Sequence, residues 1–381
     1  MRWRREATIL PIVVRLTNQG RARDKSAPID LDRMFLTQQA AQRRLPVVLL
    51  SGFLGSGKTT LVNSLLRDPR LADTAVAINE FGEVPLDQHL IEHGADSTVV
   101  LANGCLCCRL AGDFEDAVMR VFSRRETGTL PRFARLIIEP SGLADPAPIA
   151  QAILRNPVMS GVLQLASIVT TVDAILVEQQ LARHPEARKQ IALADQLVLT
   201  KTDIAEPAAI TRAMSELRRF NPLAPIHCAQ TGTVDVARLL PAGFIAPDDA
   251  ATAPRSSRTG LFAELLEADA IAAHGEATIA VSLVADQPLR WRAFDPWLRS
   301  IRITHAKQLL RIKGLLNVSG APGPIVLQCV EHVMHAPVVL EHWPTDDHRS
   351  RVVVISQGLP RETIQESWKR ALPDLLAPIV H

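Results

Sequence analysis

The chain has 381 residues, of which 47% are hydrophobic and 22% charged, and its formal net charge is +2. That size exceeds one ordinary hydrophobic core, so two domains are expected, and the composition excludes a largely disordered protein. Near-neutral charge and the absence of Tyr leave no basic face or stacking platform for nucleic acid, and no apolar run reaches the roughly 18 residues of a bilayer span.

Residues 1–44 open with Arg2, Arg4 and Arg5, followed by an apolar patch from Ile9 to Val14 that Pro11 interrupts and Arg15 ends. With no small-residue cleavage site after it, the patch is not a secretory signal. The segment reads as a disordered extension, or as a start placed too early with Met34 the alternative. From Leu45 the pattern alternates. Strands are expected at Leu45–Ser51, Ala75–Ile78, Thr98–Leu101, Leu136–Ile138, Leu165–Val172 and Gln196–Thr200. Helices are expected at Lys58–Arg67, from Asp113, at Asp145–Leu154, near Asp173, and from Pro207. Strands alternating with helices predict an α/β domain over 45–240, with a parallel sheet covered on both faces. Pro241–Ser257 has the Ala, Pro, Asp and Ser content of a linker, placed at 241–275. A smaller α+β domain is expected over 276–381, with strands at Thr278–Val284, Leu309–Val318, Ile325–Val330, Val338–Leu340 and Val352–Ser356. Helices are expected there at Trp291–Ile301 and Arg361–Leu372.

Gly52-Phe53-Leu54-Gly55-Ser56-Gly57-Lys58-Thr59 is a P-loop pattern lying between a strand and a helix. Its glycines let backbone N–H groups turn toward phosphate oxygens, the helix amino terminus adds positive potential, and Lys58 reaches the β- and γ-phosphates. The Thr59 hydroxyl suits Mg²⁺, and Thr60 continues the cradle. Thr200-Lys201-Thr202-Asp203 follows a strand. The Asp203 carboxylate matches the N1–H and 2-amino group of guanine, the Lys201 stem can lie along the base, and Thr200 stands where Asn is commoner. Leu136 to Gly142 ends a buried strand in Glu139, a candidate for the Mg²⁺ and water network. Gly142 is a candidate to sense the γ-phosphate through its N–H. Lys58 and Glu139 are the candidate catalytic residues.

Cys105, Cys107 and Cys108 place three thiolates within four residues, a donor set for a soft or borderline cation such as Zn²⁺. Neighbours this close bridge as disulfides only with strain. Glu80 and Glu83 are candidates for a fourth ligand, and the isolated Cys228 and Cys329 read as packing residues.

Together the phosphate loop, Asn79-Glu80-Phe81-Gly82-Glu83, the Gly-Cys-x-Cys-Cys run, Glu139 to Pro146 and the Thr-Lys-x-Asp box resemble CobW-type metallochaperone GTPases, in the same order. Leu310 to Gly314 and Gln328 to His332 extend the resemblance into the carboxyl-terminal part. It implies a cytoplasmic GTPase using GTP and Mg²⁺ that carries Zn²⁺ or Co²⁺ at Cys105, Cys107 and Cys108 and delivers it to a client metalloprotein, a homodimer being compatible. A GTP-binding metal buffer or sensor, or a nickel- or cobalt-insertion NTPase, are the alternatives. Two departures stand out: the histidines are scattered rather than gathered in a tract, and Pro85 follows the Asn-Glu-Phe-Gly loop.

Overall fold

The computed structural model describes residues 44–78, 99–102, 111–241, 245 and 278–376. The readings placed on 1–43, on the linker interior, and on Glu80, Glu83, Pro85, Cys105, Cys107 and Cys108 lie outside these residues.

Among the described residues the amino-terminal sheet has seven strands: β1 (Leu45–Gly52), β2 (Thr74–Ile78), β3 (Val99–Ala102), β4 (Arg135–Glu139), β5 (Leu163–Asp173), β6 (Gln196–Thr200) and β7 (Ile226–Cys228). Their order is β3-β2-β4-β1-β5-β6-β7, and every neighbouring pair is parallel. Val47, Val48, Leu49 and Leu50 of β1 are each at most 1% exposed, as a strand covered on both faces requires. The connecting helices are α1 (Lys58–Leu66), α2 (Ala111–Glu126), α3 (Pro146–Arg155), α4 (Pro157–Val162), α5 (Val177–Arg183), α6 (Pro185–Leu193), α7 (Pro207–Phe220) and the short α8 (Val236–Leu239). Leu61, Val62, Leu65 and Leu66 form the buried stripe of α1, with the i, i+3, i+4 spacing of one helical face.

Proline and side-chain caps set several boundaries. Asp145 caps α3, accepting from Ala147 N–H, and Pro146 takes the first helical position. Asn156 ends α3 and caps α4 through Val158 and Met159 N–H. The single helix expected near Asp173 is two. Asp173 is still strand, and its Oδ1 accepts from Ile175 and Leu176 N–H. Pro185 then disfavours helical geometry at His184, separating α5 from α6.

The carboxyl-terminal sheet is antiparallel: β8 (Thr278–Ala285), β9 (Leu309–Leu316), β10 (Ile325–Val330), β11 (Val333–Met334), β12 (Val338–Val339) and β13 (Ser350–Gln357). Its order is β11-β10-β9-β13-β8, with β12 also on β10. Helices α9 (Trp291–Thr304) and α10 (Arg361–Leu375) cover one face through Phe294, Trp297, Leu298, Ile364 and Trp368.

The other face of this sheet packs on the parallel-sheet unit. Leu310, Leu315, Val326, Val330, Val353 and Ile355 share one hydrophobic cluster with Ala150, Ile153 and Met159 of the α3–α4 layer and with Ala192 and Leu193 of α6. All of β9 is therefore buried.

Charge lies inside this seam. Arg311 and Lys313, two residues apart on β9 and so on one face, are each 1% exposed and both pair with Asp195, Lys313 Nζ at 3.1 Å. The second Asp195 oxygen accepts from Ile168 N–H at 3.0 Å. His335 lies in the same field. The residue is half-buried, but its Nε2 is sealed, and burial, reinforced by Arg311, pushes its pKa down to about 3. The folded pKa is below the usual value near 6.5, so neutral His335 favours the fold above about pH 6.5, and that contribution is lost as pH falls from there toward 3. Urea midpoints measured across that window are expected to decline in the wild type, and less steeply in His335→Gln.

Two side-chain expectations change or sharpen. Cys228 is exposed at the end of the edge strand β7, not packed, because an edge strand has one open side. Cys329 is buried in β10, and burial raises its thiol to about 12, so it is an inert packing group.

Candidate nucleotide site

The P-loop turns between β1 and α1 at the carboxyl edge of the parallel sheet, where ligands bind in folds of this class. Gly57, at φ +88°, is the amino cap of α1, and no side chain caps that end. The leading N–H groups of the helix are thus presented without a competing side-chain acceptor. Gly52 is required by space as well as by its φ of +146°. A Cβ there would fall 2.2 Å from Thr171 Oγ1 and 2.7 Å from Thr171 O.

Buried hydroxyls hold the loop. Ser56, 0% exposed, bonds Thr171 through its Oγ at 2.7 Å. Thr200 Oγ1 lies 2.8 Å from Ser56 O and 3.0 Å from Val172 O, so the hydroxyl bridges the phosphate loop and the end of β5. A threonine thereby links the phosphate loop to the Thr-Lys-x-Asp box. Lys58 Nζ donates to Gly52 O at 3.0 Å and Phe53 O at 3.4 Å, across the mouth of the loop. Thr60 is exposed beside Gly232, where an added Cβ would lie 2.6 Å from Thr60 Cγ2.

Thr59 Oγ1 donates to Glu139 Oε1 at 3.1 Å, joining the first turn of α1 to the end of β4. Glu139 is 4% exposed. These two oxygen donors, hydroxyl and carboxylate, are the hard ligands Mg²⁺ takes. Gly142 follows in the turn after β4, pressed on the P-loop: a Cβ there would come 2.7 Å from Leu54 N.

In the Thr-Lys-x-Asp box, Lys201 has φ +58°, a left-handed conformation that costs a non-glycine residue about 1 kcal/mol or more. Its carbonyl accepts from Ile204 and Ala205 N–H, which closes the turn. Lys201 Nζ pairs at 2.6 Å with Asp173, whose side chain is 1% exposed. Asp203 is exposed on this turn, at the carboxyl edge of β6. Sequence reasoning missed Asp173. Its signal was an acid closing a long apolar strand, two strands from the one carrying Glu139 in the sheet order.

The phosphate loop, the carboxylate that ends β4 and the Thr-Lys-x-Asp box thus lie along β4, β1, β5 and β6, which are consecutive in the sheet. This is the constellation of a P-loop GTPase. The chain belongs to the CobW family: residues 46–228 match the model of the CobW/HypB/UreG nucleotide-binding domain, and residues 279–372 that of the cobalamin synthesis protein cobW C-terminal domain. It is 32% identical over 326 residues to the zinc chaperone YjiA of Escherichia coli (strain K12), covering 85% of this chain and 98% of the relative. To the zinc chaperone CobW of Sinorhizobium sp it is 29% identical over 322 residues, 77% of this chain and 87% of the relative. The crystal structure of Zn(II)-bound YjiA GTPase from E. coli superposes with a TM-score of 0.62 at 25% identity, covering 86% of this chain and 99% of that one. No helix among the described residues is long and apolar enough to cross a membrane.

Proposed function

We propose that the protein is a GTP-hydrolysing metallochaperone that binds Zn²⁺ as cargo at Cys105, Cys107 and Cys108 and passes it to a client metalloprotein under control of the GTP cycle. The observation that carries the reading is topological. β3, which the cysteine run follows in sequence, lies in one parallel sheet with the strand that feeds the P-loop, separated from it by β2 and β4. Three strand spacings amount to about 15 Å, and Cys105 is only three residues beyond Ala102, the last residue of β3. β3 runs parallel to β1, so its carboxyl end, Ala102, lies at the edge of the sheet that carries the phosphate loop. Zinc-chaperone relatives that align along most of their length support the choice of metal.

In this reading GTP phosphates lie on the P-loop amides, with Lys58 at the β- and γ-phosphates. Thr59 and Glu139 would hold Mg²⁺, which supplies charge neutralisation on the phosphates; Co²⁺ is the alternative cargo. Glu139 also orients the attacking water, and Gly142 N–H senses the γ-phosphate. Thr200, Lys201 and Asp203 receive guanine. Gly52, Gly55, Ser56, Gly57 and Thr60 shape the cradle. We assign the units as 45–240 for the GTPase domain and 276–381 for the CobW-type domain, joined by 241–275, and expect a cytoplasmic protein.

The test is thermodynamic. Occupation of the thiolates and of the P-loop is coupled, so Zn²⁺ and a non-hydrolysable GTP analogue strengthen each other's binding by one common factor, typically about 5- to 150-fold. Calorimetric titration of each ligand with and without the other measures it. Equal affinities in both arms would reject coupled loading, leaving a nucleotide-binding protein with an independent metal site.

Base selectivity gives a second check. Asp203→Ala removes the acceptor for the guanine N1–H and 2-amino group. The preference for GTP over ATP in competition is expected to fall by about tenfold or more, because that discrimination rests on pairing the carboxylate. A preference unchanged in the variant assigns selectivity elsewhere.

A further inference from the structure

Gln190 is a polar residue on the inner face of α6, 1% exposed among Ala187, Ile191, Ala192 and Leu193. Leucine or methionine would fill that volume without burying an amide, so the amide needs a reason. Its Nε2 donates to Gly142 O at 3.1 Å and to Ala144 O at 3.0 Å. Both acceptors are carbonyls, so only the NH₂ group can face them, and the orientation of the amide is fixed by its partners. The α6 backbone is itself anchored at this point: Thr170 Oγ1 of β5 donates to Gln190 O at 3.2 Å.

The two carbonyls belong to the turn after Glu139. Gly142 is pressed against Leu54 of the P-loop on one side, and Gln190 grips the same turn on the other. The adjacent residue, Lys189, takes hold at the far end, pairing with Asp145 Oδ2 at 2.6 Å and with Glu331 Oε1 of the carboxyl-terminal sheet at 2.7 Å. Burial works against its charge, yet the bonds to Asp145 and Glu331 prevail and raise its pKa. Consecutive α6 residues thus span the Gly142–Asp145 turn.

We infer that Gln190 is a positioning residue of the GTP switch: by holding the Gly142 and Ala144 carbonyls it sets the height of the turn above the P-loop, so that Gly142 N–H meets the γ-phosphate. This rests on the reading of Gly142 as the γ-phosphate sensor. GDP makes no use of such a contact, so Gln190 separates GTP from GDP binding, whereas a residue that only stabilised the fold would weaken both together.

Gln190→Met keeps the volume and removes both donors. In the full chain with Mg²⁺, affinity for a non-hydrolysable GTP analogue is expected to fall about tenfold, the scale of one to two hydrogen bonds, with GDP affinity changed less than twofold. Hydrogen exchange over residues 140–145 is expected to slow on adding the analogue to the wild type, relative to GDP, and to stay unchanged in the variant. Equal losses for both nucleotides, or no loss for either, overturn the role of Gln190. An exchange response equal to wild type in the variant does so too. A wild type whose turn exchanges identically with GDP and with the analogue removes the reading of Gly142 itself, a result obtained without altering Gln190. Should Gln190→Met not fold, Gln190→Asn, too short to reach both carbonyls, takes its place with the same outcomes.

Discussion

Replacing Lys58 by Ala is expected to lower the GTP turnover number by about a hundred- to a thousandfold, the cost of removing one preorganised donor from a charge-developing transition state. Lys58 opens α1 at the rim of the sheet, and its ammonium spans the loop by donating to Gly52 O and Phe53 O. Those carbonyl contacts hold it across the mouth of the loop, where the proposed reading puts the phosphate oxygens. Phosphate release at saturating GTP measures the loss. Folding stability should change by no more than about 0.5 kcal/mol, the usual range away from the core, so the urea midpoint serves as the control. A variant that turns over GTP at the wild-type rate would remove Lys58 from the chemistry.

The second large effect concerns stability. Asp195→Asn is expected to cost about 3–5 kcal/mol, since it leaves two buried cations without their counter-charge. Arg311 and Lys313 reach Asp195 from a strand more than a hundred residues later, and all three are sealed. Burial opposes ionisation of Asp195, but Arg311 and Lys313 overcome it and hold the carboxyl below the usual carboxylate range. The sign follows directly: the contribution is complete above the unfolded value near pH 3.9 and is lost as pH falls below it. Urea unfolding at pH 7 and pH 3 would therefore show the Asp195→Asn defect at the first and a smaller one at the second. Replacing Asp195, Arg311 and Lys313 together by apolar residues of similar volume should recover most of the loss, because well-packed hydrophobic groups match buried ion pairs. A single variant as stable as the wild type at pH 7 would mean that water reaches the cluster.

The phosphate loop was legible because its requirements are local. Gly52 and Gly57 sit where positive φ is needed, and the strand and helix on either side are set by short-range patterning. The Thr200 bond to Ser56 was not legible: it joins residues 144 apart, and hydroxyl geometry is not written in spacing. Arg311 and Lys313 stood in the sequence only within the Leu310 to Gly314 run of the family resemblance, which says nothing of what they meet. Their partner Asp195 sits between α6 and β6, and nothing in its local sequence points to strand residues more than a hundred positions later. The role of Gln190 is equally hidden, since helical periodicity does not tell which carbonyls lie beneath an amide. The break at His184-Pro185 could have been foreseen from the steric rule for residues preceding proline. The relation between the two sheets was the least legible, because an amphipathic strand announces an apolar face and not what will cover it.

That last relation reaches beyond this fold. Val353 and Ile355 lie in the same apolar cluster as Ile153 and Met159, so the boundary between the two sheets is interior rather than surface. Cutting the chain between residues 246 and 277 would not release two independent proteins; each half would carry an uncovered greasy plane and a stranded charge, and mixing the halves should restore one particle. Exchange of the carboxyl-terminal half among relatives is constrained for the same reason: a graft succeeds when it brings a matching plane and an opposing charge, however well its own sheet is formed.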